Sequence, residues 1–102
     1  MLFRSDAMQF LVLTRRRTDA FPPESWTPEL LGEEGRRVRE LYSQGVVRSI
    51  WRRKDIAGAV LLLENGTEEE ARSAAESLPL AKLGMIEITV APLEPYPAFG
   101  PR

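Results

Sequence analysis

Glu34 stands out among the titratable side chains of this sequence because of what surrounds it. It follows Leu31 by three residues and precedes Val38 by four, so on a helix it shares a stripe with those two apolar side chains while Glu33 points elsewhere. A carboxylate held among apolar groups is disfavoured in its charged form, which lifts its pKa toward the range useful for proton transfer. The plainer alternative is a glutamate at the edge of the stripe that reaches solvent. Gly35 beside it favours a site, since a glycine inside a helix costs roughly 1 kcal/mol and leaves room for something to approach. A second cluster, Ser49-Ile50-Trp51-Arg52-Arg53, places an aromatic ring and guanidinium groups on an interior strand. Arginine suits bidentate capture of a carboxylate, and tryptophan offers a flat wall to a small ring. Taken singly, Trp51 reads as core and the arginines as edge charges paired to Glu33 or Asp55. Taken together, the helix carboxylate and the Trp-Arg strand describe a pocket for a small acidic molecule, with Glu34 as the catalytic residue and Ser49, Trp51, Arg52 and Arg53 binding the substrate.

Composition narrows the chemistry further. The chain has no cysteine and no histidine, which removes disulfides, thiolate nucleophiles and the usual nitrogen and sulfur metal ligands. No scattered set of carboxylates has a recognisable loop spacing, so no metal is expected. A formal net charge of −1 gives no overall electrostatic pull toward nucleic acid or an anionic membrane. The apolar runs Phe10–Leu13 and Ala57–Leu63 are far too short to span a bilayer, and the amino terminus lacks a secretory pattern, which makes a cytoplasmic location the expectation. At 102 residues, with 43% hydrophobic and 28% charged residues, the sequence suits one globular domain with one core.

The elements that must position these residues follow from local signals. Residues 1–7 read as a flexible extension, and Met8 to Thr14 (MQFLVLT) as a strand running into Arg15-Arg16-Arg17, a basic triplet that is either a solvated strand end or an anion-binding edge. Phe21-Pro22-Pro23 forms a stiff extended connector. A helix then begins at a Thr27 cap with Pro28 in its first turn and stops at Gly45; Leu31, Val38, Leu41 and Tyr42 form its buried stripe. Val46 to Arg53 alternates, with Val47, Ser49, Trp51 and Arg53 on one face and Val46, Arg48, Ile50 and Arg52 on the other. Ile56 to Leu63 is a continuous apolar run fit for a central strand, in which Gly58 marks a bulge or a close backbone approach. Thr67 with Glu70 is a capping box opening a second helix, whose small inner residues Ala71, Ala74 and Ala75 lead to Leu78 and a stop at Pro79. Ile86, Ile88 and Val90 alternate as a last strand. The order is that of an α+β, ferredoxin-like βαββαβ domain over residues 8–91, with an antiparallel sheet covered by helices on one face. The other face, left bare with apolar residues on it, calls for a partner.

Several pieces of the chain, Leu31-Gly32-Glu33-Glu34, Leu41 through Gly45, Ile50-Trp51-Arg52, Leu78-Pro79-Leu80, Ile88 through Val90 and Pro92-Leu93, resemble the muconolactone delta-isomerase family in order and spacing. The resemblance runs from about Met8 to Phe99. It implies a cofactor-free enzyme whose subunits pair as dimeric α+β barrels and assemble into larger homo-oligomers, and which shifts a double bond in a muconolactone. By that resemblance Glu34 matches a family glutamate on the first helix, and Trp51-Arg52 match the family's Trp-Arg on the second strand. Ser49 stands where the family commonly has histidine, and Gly35 where it commonly has lysine.

Three functions are compatible with these residues. The leading one is an isomerase in which Glu34 removes a proton next to a carbonyl and returns it two atoms away while arginine holds a substrate carboxylate. The smaller Ser49 and Gly35 leave room for a second, a cofactor-free cyclase or oxygenase-like tailoring enzyme acting on a larger aromatic or polyketide-like molecule. The third is a ligand-binding barrel without chemistry, which requires Glu34 at the surface. Nucleic-acid binding ranks last, because the aromatic and basic residues form no exposed strand platform. The tail, 92–102, is rich in proline and carries Leu93, Tyr96 and Phe99 as anchors, so it is expected to dock on a neighbouring subunit.

Overall fold

In the computed structural model, residues 7–99 are described. The chain runs β1 (Met8–Arg16), a 3-10 turn at Pro23–Ser25, α1 (Pro28–Ser43), β2 (Val47–Arg52), β3 (Ala59–Asn65), α2 (Glu68–Glu76), a one-turn α3 (Pro79–Lys82) and β4 (Ile86–Leu93). The strands form one antiparallel sheet in the order β2-β3-β1-β4, the ferredoxin-like arrangement expected from the sequence. Residues 1–6 of the amino-terminal extension and 100–102 of the tail lie outside the described residues.

Local chemistry explains the helix boundaries. The Thr27 hydroxyl accepts from the Leu30 amide at 3.2 Å and Pro28 occupies the first turn of α1. Gly45, at φ 79°, turns the chain out of the helix in a conformation few other residues adopt. At α2, the Thr67 hydroxyl accepts from the Glu70 amide at 3.1 Å while the Glu70 carboxylate accepts from the Gly66 amide at 2.9 Å, a closed capping box.

The sheet buries one face under the helices. Phe10 and Val12 of β1, Leu61 and Leu63 of β3 and Val47 of β2 pack there against Leu41 of α1, Ala71 and Ala75 of α2, and Leu78 and Leu80 around α3. Cross-strand partners share a face, so the pairs Leu11↔Leu62, Leu13↔Val60 and Leu11↔Ala91 show an apolar middle on the opposite, uncovered face.

Several sequence expectations are corrected. The register between β2 and β3 shifts between Val47 and Ser49, which leaves Arg48 as an extra residue and reverses the alternation after it. Val47 therefore lies on the helix face with Ile50 and Arg52, whose partners are Leu61 and Ala59, while Ser49 and Trp51 pair with Leu62 and Val60 on the open face. β3 begins at Ala59, and Ile56 is exposed in the preceding loop. Tyr42 is exposed, so the buried stripe of α1 ends at Leu41. Pro79 does more than end α2: it starts α3, whose N-cap residue, Leu78, has no side chain able to cap. β4 runs on through Pro92 to Leu93, and beyond it Tyr96 and Phe99 are 74% and 85% exposed, so neither docks on its own domain.

Candidate active site

Between α1 and the covered face of the sheet lies a cavity of about 470 Å³. That is ample for a small organic acid. Its walls are largely apolar, with Leu31 and Val38 from α1, Ile50 and Leu61 from the sheet, Leu78 and Leu80 near α3 and Ile86 from β4. Into this lining project one carboxylate, Glu34, and three guanidinium groups, those of Arg16, Arg39 and Arg52.

Glu34 reaches the cavity because α1 places it a turn from both Leu31 and Val38. Its Oε1 accepts a hydrogen bond from the Leu80 amide at 2.9 Å, supplying to α3 the cap that Leu78 cannot. Oε2 makes no hydrogen bond among the described residues and is not a sealed atom, and Glu34 is part of the cavity lining. Burial pushes the Glu34 carboxyl above the ordinary carboxylate range, opposed by the Leu80 amide and by the charge of Arg16. One oxygen is thus fixed by the fold, and the other is free of partners among the described residues, on a carboxyl of raised basicity that lines a ligand-sized space.

The arginines arrive from different elements. Arg16 is the last residue of β1, paired with Ile86 on the helix face. Arg52 ends β2 and is exposed at the rim. Arg39 folds back one turn along α1, with its Nη1 3.4 Å from where a Cβ on Gly35 would stand, an ordinary contact distance. None of the three forms an ion pair or hydrogen bond through its side chain among the described residues. The polar wall between β1 and β3 is Thr14, whose buried hydroxyl accepts from the Ala59 amide at 3.0 Å.

Of the residues singled out from sequence, the structure brings Glu34 and Arg52 together in this cavity. Trp51 is 54% exposed on the opposite face of the sheet, and Ser49 shares that face; the shift at Arg48 put them there. Arg53 is a clamp. Its Nε and Nη2 donate to the two carboxylate oxygens of Asp55 at 3.1 and 2.7 Å, and its Nη1 donates to the Thr14 carbonyl at 3.3 Å. That pairing holds the Asp55 carboxyl down to about 2.

Sequence reasoning offered Arg16 only within a basic triplet that could be an anion-binding edge, and missed Arg39 and Thr14. The signal for Arg16 was the alternation of β1 carried through the basic triplet, which sends Arg16 to the covered face and Arg15 to the open one, where it pairs with Glu87 at 2.9 Å. Among the described residues no group of three or more His, Cys, Asp or Glu side chains could hold a metal ion, and no helix is long and apolar enough to cross a membrane.

A solved structure, a 5-chloro-2-hydroxyhydroquinone dehydrochlorinase from Burkholderia phenoliruptrix in complex with 2,5-dihydroxybenzoquinone, superposes with a TM-score of 0.67 at 18% identity, covering 85% of this chain and 94% of that one. At that identity the likeness establishes the fold. A search of curated protein sequences returned no significant match. The family model for muconolactone delta-isomerase matches residues 8–98, which takes in β1 through β4 and every wall of the cavity. The chain therefore belongs to the muconolactone delta-isomerase family.

Proposed function

We propose that this chain is a cofactor-independent isomerase that moves a carbon–carbon double bond by a carboxylate-mediated proton shift on a small lactone or related acidic metabolite. Family membership supports a small enzyme of this fold. The observation that carries the specific reading is Glu34, with Oε1 tied to the Leu80 amide and Oε2 left without a partner among the described residues, in the lining of a cavity whose other charged residues are all arginines. Glu34 takes a proton from a carbon activated by a carbonyl and returns it two atoms along. A single base serves both steps, because the carboxyl that takes up the proton can trade it with solvent while the electron pair is delocalised and then deliver a proton or deuteron to the new carbon. Arg52, exposed at the rim, holds the substrate carboxylate and draws anions toward the opening. The test is muconolactone in deuterated water: the wild type should exchange the substrate's acidic hydrogen, and Glu34→Gln should keep the fold and lose exchange. Undiminished exchange in that variant ends the proposal.

A second cavity of about 310 Å³, lined by Phe21, Trp26 and Arg16, adjoins the first through Arg16. It favours, as an alternative, a cyclase or oxygenase-like reaction on a larger aromatic molecule spanning both spaces. Trp26 lies in that second space, so quenching of its emission by planar aromatics but not by lactone acids would select the alternative.

We also propose a homodimer or larger homo-oligomer as the working form. Trp51, Leu93 and the row Leu11, Leu13, Val60 and Leu62 share the bare sheet face, which a second copy of the chain would cover, with Tyr96 and Phe99 reaching onto that copy. Leu62→Arg should lower the mass in solution to that of the monomer.

A further inference from the structure

We propose that Arg16 is the residue that stabilises the negative charge developing on the substrate, and that Trp26 is the positioning residue that aims it. This rests on the proton-shift reading above and adds the electrostatic partner that reading needs.

The geometry begins with the strand. β1 ends at Arg16, whose backbone is fixed by its amide bonding to the Ala57 carbonyl at 2.9 Å, and the pairing with Ile86 turns the side chain to the covered face. A guanidinium carries five N–H donors, and a partly buried one normally finds acceptors for them. That of Arg16 has no hydrogen bond or ion pair among the described residues. Its one specific contact is the face of Trp26, with the guanidinium carbon 5.2 Å from the ring centroid. The ring is itself held. Its Nε1 donates to the Phe21 carbonyl at 3.3 Å, and its edge meets the Phe21 ring at a centroid distance of 6.3 Å and an angle of 73°. The Arg17 guanidinium lies over Phe21 and is fastened to the Gly84 carbonyl at 3.0 Å. An aromatic bracket thus supports a cation that lines both cavities and whose donors have no acceptor among the described residues.

The other charged groups around Glu34 do not fill this role. Arg39 comes from α1 itself and Arg52 from β2, and both are exposed at the rim; α3 and β4 contribute only the Leu80 amide and apolar side chains. The charge of Arg16 is the one that Glu34 senses. When Glu34 Oε2 accepts the proton, a C–H bond breaks, an O–H bond forms, and the electron pair moves onto the substrate carbonyl oxygen as an enolate. The return step reverses the roles at the new carbon, with no net oxidation or reduction. Negative charge therefore passes from Glu34 to substrate oxygen and back. A cation close to both sites keeps its partner throughout, which is the arrangement that lowers such a barrier.

The experiment compares wild type, R16Q, R16K, W26F and W26L with muconolactone, and follows the Glu34 carboxyl by carbon NMR across pH. We expect kcat in R16Q to fall about a hundredfold or more with KM little changed, and the Glu34 titration to move to higher pH as its neighbouring cation is lost. R16K should restore the titration and part of kcat. W26F should keep most activity, while W26L lowers kcat without the shift of the Glu34 titration expected in R16Q, since the cation is still present but poorly aimed. An active wild type whose R16Q variant stays within about threefold in kcat, or whose Glu34 titration is unmoved, overturns this proposal alone. A wild type that neither isomerises muconolactone nor exchanges its acidic hydrogen overturns the proton-shift reading and this proposal with it.

Discussion

Gly58→Ala should be the most damaging single methyl in this protein, for reasons that can be worked atom by atom. A Cβ built on Gly58 stands 2.1 Å from the Thr14 carbonyl oxygen, 3.0 Å from its carbon and 3.3 Å from the Arg15 Cα. Carbon–oxygen contacts settle at about 3.3 Å or more, so the two backbones must part by roughly 1 Å. These atoms are main chain, and neighbouring bonds fix them. The Thr14 carbonyl accepts from Arg53 at 3.3 Å, the Thr14 hydroxyl accepts from the Ala59 amide at 3.0 Å, and the Arg16 amide donates to Ala57 at 2.9 Å. Overpacking of this kind costs about 1–3 kcal/mol, and the loss of one of these hydrogen bonds adds about 1 kcal/mol, for a total near 2–4 kcal/mol. In a domain of this size that lowers the melting temperature by at least about 8 °C. Urea and thermal unfolding followed by circular dichroism provide the measurement. Gly32→Ala is the control, because nothing lies within 4 Å of its added methyl on the exposed side of α1; it should stabilise by about 0.5–1 kcal/mol. A Gly58→Ala protein within about 0.5 kcal/mol of wild type would refute the close-approach argument.

Thr67→Ala removes the acceptor for the Glu70 amide while leaving the Glu70–Gly66 bond, and should cost about 1 kcal/mol of stability in urea melts; an unchanged midpoint would show that the capping box contributes nothing. Glu34→Gln keeps an oxygen for the Leu80 amide but cannot ionise. The native state binds the Glu34 proton more tightly than the unfolded chain, so this contribution to wild-type stability is full below the ordinary value of 4.5 and is lost as pH rises through the raised native value. The variant should therefore gain on the wild type as pH rises from about 4 to about 7, and parallel stability curves over that range would contradict the burial of the carboxylate.

Much of this architecture was written in short-range signals. Thr27, Pro28 and Gly45 bound α1, and Thr67 with Glu70 opens α2, because caps are satisfied within a few residues and depend little on the rest of the fold. Glu34 was legible for a related reason: helical spacing put it among Leu31 and Val38, and the cavity is built on that stripe. The faces of β2 were not legible. Perfect alternation from Val46 to Arg53 is what the residues alone offer, and the one-residue shift at Arg48 is imposed by pairing with β3, including the Glu64 amide bonded to the Val46 carbonyl at 2.8 Å. That shift moved Trp51 out of the site and kept Arg52 in it. α3 was hidden because proline both ends one helix and begins the next. Its cap comes from Glu34, 46 residues away, which no local window contains.

The sheet separates the two properties that the sequence joined in one pocket. Glu34, Arg16, Arg52 and Thr14 address the space under the helices, whereas Trp51, Leu11, Leu13, Val60 and Leu62 address the bare face. Side chains of adjacent strand residues point to opposite faces, so Trp51 and Arg52 belong to different surfaces although they are neighbours in sequence. The charged ends of β1 follow the same rule. Arg15 pairs with Glu87 outside, and Arg16 enters the cavity from the next position. The Leu80 amide on Glu34 Oε1 and the Trp26 ring beneath Arg16 belong to the same chain as the groups they hold, so neither contact needs a second copy on the bare face. The proposed assembly and the proposed proton transfer would thus draw on separate residues of the same strands, and a substitution on the bare face should leave the polar lining of the cavity in place.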